Sequence, residues 1–453
     1  MCIRDRDGRL EGLEEREQEI PVSERGENPI EIILLKEWYV KQVGIQDRLE
    51  QLTDQISFIP ERNKQLLLDW MENISIDWPI SRRRWYHTEI PIWYTDDHKV
   101  LIVPPKGAYV RPWCEDPPKG SFGIDRETRE ILGPIEELGY TKFTGEEKVF
   151  DTWMDSSNSN LYVSGYGQKD VDFARTYPTN LRPQGKEIVR TWLYYTLLKS
   201  AHLFDQPGFK SVWIDGLGMD PWGRKMSKSW GNGIDADSVL NCGVSGRTGS
   251  WKIRGPDGKS VNLRANKIGS ECFRLWKAAD AQVGDDFHIN PEEIESKYFG
   301  ILTKIYNVAR FASQFPIEDH RPSVIKPEDV WILSEYDNLI KETMEDWKRI
   351  DIYSATQKVK VFLTGIFSSH WMELAKTRLY DSDSSSLWTI HSILSGCLKI
   401  FSPVCPLFCH HLSTILYNES TIKVDMYPTP LGYDLQDRTK ITQSIVKLSL
   451  IHI

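Results

Sequence analysis

Residues 213–232 read Trp-Ile-Asp-Gly-Leu-Gly-Met-Asp-Pro-Trp-Gly-Arg-Lys-Met-Ser-Lys-Ser-Trp-Gly-Asn. A short apolar run enters a turn punctuated by glycine. The turn leads into Lys225-Met226-Ser227-Lys228-Ser229 and then Gly231-Asn232. Two lysines and two hydroxyls on one flexible loop suit a polyphosphate. Ammonium groups act as mobile point charges, and hydroxyls with backbone N–H groups supply donors. Most Lys/Ser runs are only solvated loops. The strand-like run before this one and the Gly-Asn after it favour a site.

Two further clusters invite a chemical reading. Arg82, Arg83 and Arg84 are followed by Trp85 and Tyr86, a pattern able to hold phosphates and stack on bases. A solvated basic run explains it equally well. Cys405, Cys409, His410 and His411 have spacings that can ligate zinc, yet Phe401, Val404, Leu407, Phe408 and Leu412 surround them. A closed site needs four placed ligands, so the core reading is preferred and no metal site is expected.

These groups need elements to position them. The hydrophobic run from Pro29 to Val40 reads as β-rich. Ile45 to Ile74 reads as helices, with Leu66, Trp70 and Ile74 on one face. Residues 104–148, rich in Pro, Gly and charge, read as a surface insertion. A helix is expected over about Ile188–Leu203, and a strand over Ser211–Ile214. Alternation of helices with short apolar strands implies part of a parallel α/β sheet. Residues 241–266 read as a loop insertion. From Pro291 to about Asn418 the period is helical: Leu333, Tyr336, Ile340, Met344 and Trp347 step by three and four. Several such helices in series imply a bundle.

Bulk composition bounds the class. The chain has 453 residues, 40% hydrophobic and 27% charged, enough for two or three soluble domains. Its 17 Trp are roughly three times average usage. The formal net charge of −9 speaks against a general nucleic-acid binder without excluding a local basic face. Seven scattered Cys without a CxxC pair fit reduced thiols. No apolar run reaches transmembrane length and no signal core opens the chain. The expectation is a cytoplasmic protein with no membrane partner.

Both ends read as foreign. Met-Cys-Ile-Arg-Asp-Arg at the start and Leu-Ser-Leu-Ile-His-Ile at the finish back-translate to ATGTGTATAAGAGACAG and its reverse complement. That DNA resembles the inverted end of a transposon-based sequencing adapter. Both strings are set aside from the fold, and the natural protein is expected to continue beyond them.

Lys225 to Ser229 match letter for letter the KMSKS signature of class I aminoacyl-tRNA synthetases, and the chain resembles that family from about residue 29 to 430. Trp78-Pro79-Ile80-Ser81-Arg82 with Pro91-Ile92-Trp93 resembles the return from the editing insertion. Asp151-Thr152-Trp153-Met154-Asp155-Ser156-Ser157 resembles the family's Asp-Thr-Trp element, and Leu181-Arg182-Pro183-Gln184-Gly185 resembles a strand-to-helix turn. Phe273-Arg274-Leu275-Trp276 and Tyr306-Asn307-Val308-Ala309-Arg310-Phe311 resemble the start of the anticodon-binding region. The Asp-Thr-Trp and Arg-Pro-Gln-Gly stretches are most similar to the valine-type members, archaeal ones especially. Isoleucine- and leucine-type members are the alternatives, as is a non-catalytic tRNA-binding derivative.

The resemblance implies an α/β fold: the second half of a Rossmann-like parallel-sheet domain, followed by an all-α anticodon-binding bundle. It implies residues 7–77 as the editing remnant and return, 78–240 as the catalytic half, and 241–290 as a connecting region. The anticodon-binding helices would occupy 291–432 and a truncated tail 433–453, with residues 1–6 as adapter. It implies ATP with Mg²⁺, valine and tRNA(Val) as partners of a monomer. Lys225 and Lys228 would act on the phosphates in the transition state, and Met226, Ser227 and Ser229 would bind the nucleotide. Gly185 and Glu187 would hold the ribose; Lys186 and Glu187 depart from the family's usual His or Tyr and Asp. Trp153, Ile188 and Trp192 would line the valine pocket, with core packing as the rival role. Arg82, Arg83 and Arg84 would meet tRNA. Trp93-Tyr94-Thr95-Asp96-Asp97 falls where some relatives carry a zinc knob, but lacks its cysteines. The family's other signature, His-x-Gly-His, does not occur in the chain. The polypeptide alone is therefore expected not to form an adenylate.

Overall fold

The computed structural model describes residues 19–23, 26, 28–31, 33–243, 246–418 and 427–452, with side chains as far as Lys447. The N-terminal adapter-like string lies outside these residues. Of the C-terminal string only the backbone of 448–452 is described, as the end of a helix. The chain divides into two compact units: residues up to Val43 with Ser75–Asp155, and Gly44–Ile74 with the chain from Ser156 onward.

The first unit is built on a five-stranded antiparallel sheet. Its order is Ile131–Pro134, Phe122–Asp125, Val100–Val103, Trp93–Thr95, Phe143–Gly145. Trp93 and Ile102 face each other in register and are almost fully buried with Val100 and Val110. The stretch expected as a surface insertion, residues 104–148, therefore supplies three of the five strands. Its strands are three or four residues long, too short for a periodic signal to emerge among Pro and Gly. Two small ribbons complete the unit: Tyr39–Val40 with Trp78–Pro79, and Ser81–Arg82 with Val149–Phe150. Among the described residues, the apolar run expected as β-rich from Pro29 gives its last two residues to a ribbon and Pro29 to an isolated bridge with Val22, and Ile33, Leu34 and Leu35 are exposed. Apolarity alone does not make a strand where no neighbour accepts its backbone bonds.

The second unit holds a parallel sheet of Thr179–Gly185, Phe209–Asp215 and Ser57–Ile59, with Phe209–Asp215 in the middle. Phe209, Val212 and Ile214 are fully buried. Parallel neighbours need a crossover, supplied by a 3₁₀ turn at Lys186–Ile188, a π segment at Val189–Leu193 and the helix Tyr194–Phe204. Asp205 ends that helix in the left-handed region, at φ 53°. The expected helix is thus present, wider-wound at its start. In the stretch expected as helical throughout, helices Gln46–Thr53 and Lys64–Glu72 flank the strand Ser57–Ile59. Leu67, Met71 and Ile74 form the buried face, one step from the expected one, while Leu66 and Trp70 are half-buried. Because Ser57–Ile59 bonds to Phe209–Asp215, residues 44–74 share a compact unit with 156 onward, across the boundary at residue 77 drawn from sequence.

Residues 241–266, expected as a loop, form a hairpin of Gly249–Arg254 and Ser260–Ala265. Trp251, Ile253, Leu263 and Ala265 alternate into the core. Beyond it run the helices Gly269–Asp280, Gly300–Ala312, Pro327–Lys348, Ile352–Val361, Met372–Tyr380, Ser384–Phe401 and Pro406–Tyr417. Pro at the first turn opens two of them, and Asn418 caps the last at φ 54°. Trp331, Leu333, Tyr336 and Trp371 lie in the bundle core. Asp329 is fully buried there and satisfied: Arg378 meets it at 2.7 and 2.8 Å, Trp371 Nε1 at 3.0 Å and Ser385 Oγ at 2.5 Å.

Candidate active site

Two turns leave the carboxyl ends of neighbouring parallel strands, where open α/β sheets hold ligands. Gly185 is opposite Asp215 in register, so the Gly185-Lys186-Glu187 turn and the Gly216-Leu217-Gly218 turn start side by side. A Cβ at Gly216 would collide with the Asp285 carbonyl, which is why the backbone needs glycine there. One carboxylate links both turns: Asp286 accepts Lys186 Nζ at 2.5 Å and the Leu217 amide at 2.8 Å. Those two bonds hold its carboxyl below the usual range. Lys186, a departure from the family residue, thus has a structural partner. Glu187 is exposed, with its carboxylate folded back over Gly185.

The loop carrying Lys225 and Lys228 rests on a buried carboxylate that sequence reading did not single out. Asp220 is fully buried. It accepts the amides of Trp222 (3.0 Å) and Arg224 (2.9 Å), Arg224 Nε (2.8 Å) and Asn232 Nδ2 (3.0 Å). Burial pushes its pKa up, but the Asn232 and Arg224 donors outweigh that and hold it low. Asn232 accepts the Ser227 amide at 2.9 Å and donates to the Lys225 carbonyl at 3.1 Å. Ser227 Oγ accepts the Trp230 amide at 3.2 Å and lies 3.1 Å from Ser229 Oγ. Arg224 also donates to the carbonyls of Gly255 and Arg254, so the hairpin supports the loop. Lys225 and Lys228 are exposed, and neither ammonium has a partner among the described residues. Met226 is half-buried between them. The result is a braced base that presents two exposed cations. The Asp220–Arg224 spacing just before the lysines was the available signal.

Ile188 and Trp192 belong to the second unit and Trp153 to the first; all three are half-buried. Trp192 Nε1 donates to the Ser156 carbonyl at 2.8 Å. Its ring carries the Arg182 guanidinium 3.6 Å from the centroid, and Arg182 donates to the Trp192 carbonyl at 3.2 Å. Arg182 is almost fully buried, which pushes its pKa down to about 9. The Trp153 amide donates to Asp151 at 2.7 Å.

The three arginines diverge. Arg82 pairs with the buried Asp151 and donates to the Pro79 and Ser81 carbonyls at 2.8 and 2.9 Å. Arg83 lies 3.4 Å from Glu37. Arg84, Trp85 and Tyr86 are exposed. Cys405 and Cys409 are fully buried in the helical core and burial pushes both thiols up.

A family model for class I tRNA synthetases (I, L, M and V) matches residues 10–290, and one for the anticodon-binding domain of tRNA ligases matches 329–449. The chain belongs to the class I tRNA synthetases. It is 34% identical to the valine–tRNA ligase of Nanoarchaeum equitans over 419 residues, covering 92% of this chain and 50% of the relative. For the valine–tRNA ligase of Aeropyrum pernix the values are 33% over 438 residues, 95% and 49%. The chain thus spans about half the length of the curated relatives it matches. Among solved structures, the methionyl-tRNA synthetase of Mycobacterium tuberculosis bound by methionyl-adenylate superposes with a TM-score of 0.59 at 15% identity. That match covers 92% of this chain and 70% of the other, and it supports the synthetase fold: a parallel sheet followed by a helical region. None of the described helices is long and apolar enough to cross a membrane.

Proposed function

We propose that this chain is the KMSKS-bearing part of a valine–tRNA ligase, a cytoplasmic, monomeric enzyme in its full form. The observation that carries the reading is the pair of turns at adjacent strand ends, one of them leading into a braced loop that exposes two lysines. In the first step a valine carboxylate oxygen attacks the α-phosphorus of ATP, and pyrophosphate leaves. A carboxylate is already ionised at neutral pH, so alignment and charge stabilisation dominate. Lys225 and Lys228 neutralise charge developing on the phosphates, with Met226, Ser227 and Ser229 holding the loop against the nucleotide. The exposed Glu187 carboxylate accepts the ribose hydroxyls, and Gly185 admits them closely. Ile188 and Trp192 wall the side-chain pocket. In the second step the terminal ribose hydroxyl of tRNA(Val) takes the acyl group and AMP leaves.

The loop donors are ammonium and hydroxyl groups, and no cluster of three or more His, Cys, Asp or Glu converges among the described residues. Mg²⁺, when bound with ATP, would share with these donors the neutralisation of phosphate charge. The domain succession inferred from sequence accompanies this reading: catalytic half over 78–240, connecting region over 241–290 and anticodon-binding helices over 291–432. Support for valine over isoleucine or leucine comes from the archaeal valine–tRNA ligases at 34% and 33% identity.

The test is amino-acid-dependent ATP–pyrophosphate exchange by the full natural gene product. Valine-driven exchange supports the reading, isoleucine- or leucine-driven exchange replaces its specificity, and tRNA binding with no exchange leaves only a non-catalytic derivative. The purified 453-residue polypeptide, having no His-x-Gly-His turn, shows no exchange on this reading.

A further inference from the structure

The hairpin of Gly249–Arg254 and Ser260–Ala265 sorts its residues between two unlike faces. Trp251, Ile253, Leu263 and Ala265 are buried, with Val261 half-buried beside them, and this face packs into the core of the second unit. The period of two sends Ser250, Lys252, Arg254, Ser260, Asn262 and Arg264 to the other face, and all six are exposed. In register Ser250 stands opposite Arg264, Lys252 opposite Asn262 and Arg254 opposite Ser260. Each pair therefore holds one cation and one neutral polar group. No carboxylate belongs to this face. The nearby ones are engaged at its rim: Glu292 and Glu295 accept the Arg264 and Asn266 amides at 3.0 and 2.6 Å, and Asp257 accepts the Lys259 amide in the turn at 3.0 Å. The Lys252, Arg254 and Arg264 side chains have no partner among the described residues.

A lone basic residue on a ribbon is only solvated surface. Three unopposed cations on one rigid face, in a chain whose net charge is −9, repel one another, and an anion laid across them relieves that repulsion. Along the strand Lys252 and Arg254 are roughly 7 Å apart, and the whole ribbon is about 20 Å long. That is the reach of a polymer's charges rather than of a single phosphate. The hydroxyls and amide between the cations suit phosphate oxygens and 2′-hydroxyls. The hairpin's one aromatic ring, Trp251, is buried on the inner face, so nothing here stacks on an unpaired base. A duplex RNA backbone, read through phosphates and 2′-hydroxyls without base contacts, fits this face better than a single strand does.

The turn of the hairpin also touches the KMSKS loop on both flanks. Before the two lysines, Arg224 donates to the Arg254 and Gly255 carbonyls at 2.5 and 3.1 Å. After them, the Arg254 amide donates to the Gly231 carbonyl at 3.0 Å. Arg254 thus bonds to the loop through its backbone while its side chain faces water.

We propose that the outer face of this hairpin, through Lys252, Arg254 and Arg264, docks on the phosphodiester backbone of a double-stranded stem of tRNA. The inference rests on the tRNA-ligase reading and assigns that partner a contact surface. A stem held here is tied through Arg254 to the loop that carries Lys225 and Lys228.

The experiment measures binding to the 453-residue chain by anisotropy over a series of salt concentrations. One probe is a fluorescent tRNA(Val) transcript; the other is an unstructured single-stranded RNA of equal length. Each phosphate contact adds roughly 0.9 to the slope of log affinity against log salt. The triple variant Lys252→Gln/Arg254→Gln/Arg264→Gln should flatten the tRNA slope by about 3 and weaken binding on the order of 100-fold at about 0.1 M salt. Lys252→Gln alone should flatten it by about 1, which keeps the surface testable should the triple variant fail to fold. Lys252→Arg/Arg254→Lys/Arg264→Lys keeps every charge and should keep the slope. The single strand should lose far less than the tRNA in each Gln variant. An unchanged tRNA slope in the Gln variants, or an equal loss for the single strand, overturns the docking surface and leaves the tRNA-ligase reading standing. Failure of the unsubstituted chain to bind tRNA overturns that reading and the surface with it.

Discussion

Replacing Asp220 by Ala should release the KMSKS loop. The carboxylate is fully buried and accepts four hydrogen bonds, two from backbone amides and two from the Arg224 and Asn232 side chains. Removing it leaves those donors facing one another around a void. Breaking a buried pair by deleting one partner costs about 3–5 kcal/mol. The Arg224 side chain is 30% exposed, so water recovers part of the loss and the lower end, about 3 kcal/mol, applies. Most of that loss is local, because the loop can open without unfolding the sheet. Trypsin reports it directly, since Lys225 and Lys228 are cleavage sites and cleavage tracks the open population. About 3 kcal/mol corresponds to a rise of roughly two orders of magnitude in cleavage rate. Asp220→Asn, which keeps the shape and loses the charge, should give a smaller rise. The pH dependence has a definite sign. Because the folded-state pKa is lowered, protection is complete above the ordinary carboxylate range and is lost as pH falls through the lowered value. An Asp220→Ala chain cut within a few-fold of the unsubstituted rate would refute the bracing role.

Other substitutions probe other parts of the molecule. Asp329→Ala strands Arg378 in the helical core, where that side chain is only 16% exposed; urea denaturation should show a loss of about 3–5 kcal/mol. Gly216→Ala drives a methyl into the Asp285 carbonyl and should destabilise the second unit by about 1–3 kcal/mol, read as a lower Tm. Burial pushes the thiols of Cys272, Cys397, Cys405 and Cys409 up. Cys242 is buried as well, so a thiol reagent at pH 8 should label Cys114 alone among the described cysteines, as peptide mass mapping would show. Equal labelling of Cys397 would mean the helical core opens readily.

The KMSKS loop, the parallel-sheet strand through Ser211–Ile214 and the long helical series were legible because each rests on local information. A loop motif is contiguous, and a helix face repeats every three or four residues. Leu333, Tyr336 and Ile340 carry that repeat and all three are buried. The five-stranded sheet over 93–145 was hidden because its strands are shorter than the periodic signal needs. The hairpin over 249–265 shows the other failure: Trp251, Ile253 and Leu263 alternate correctly, but Gly, Ser and Lys between them mimic a loop.

The sequence by itself determined which residue types were at hand: two lysines and two hydroxyls in a row, three arginines before two aromatics, a glycine-rich strand end. Local chemistry sets such things. Tertiary structure alone decided what each residue is free to do. It assigned Arg82 to Asp151 and Lys186 to Asp286, and it left Lys225, Lys228 and Arg84 without partners among the described residues. It also placed Asp220, which no motif reading marked, beneath the loop it braces. The physical reason is that a charge finds its partner through contacts distant in sequence: Arg82 and Asp151 are 69 residues apart, and Lys186 and Asp286 come from different turns. Only the fold brings such pairs within reach.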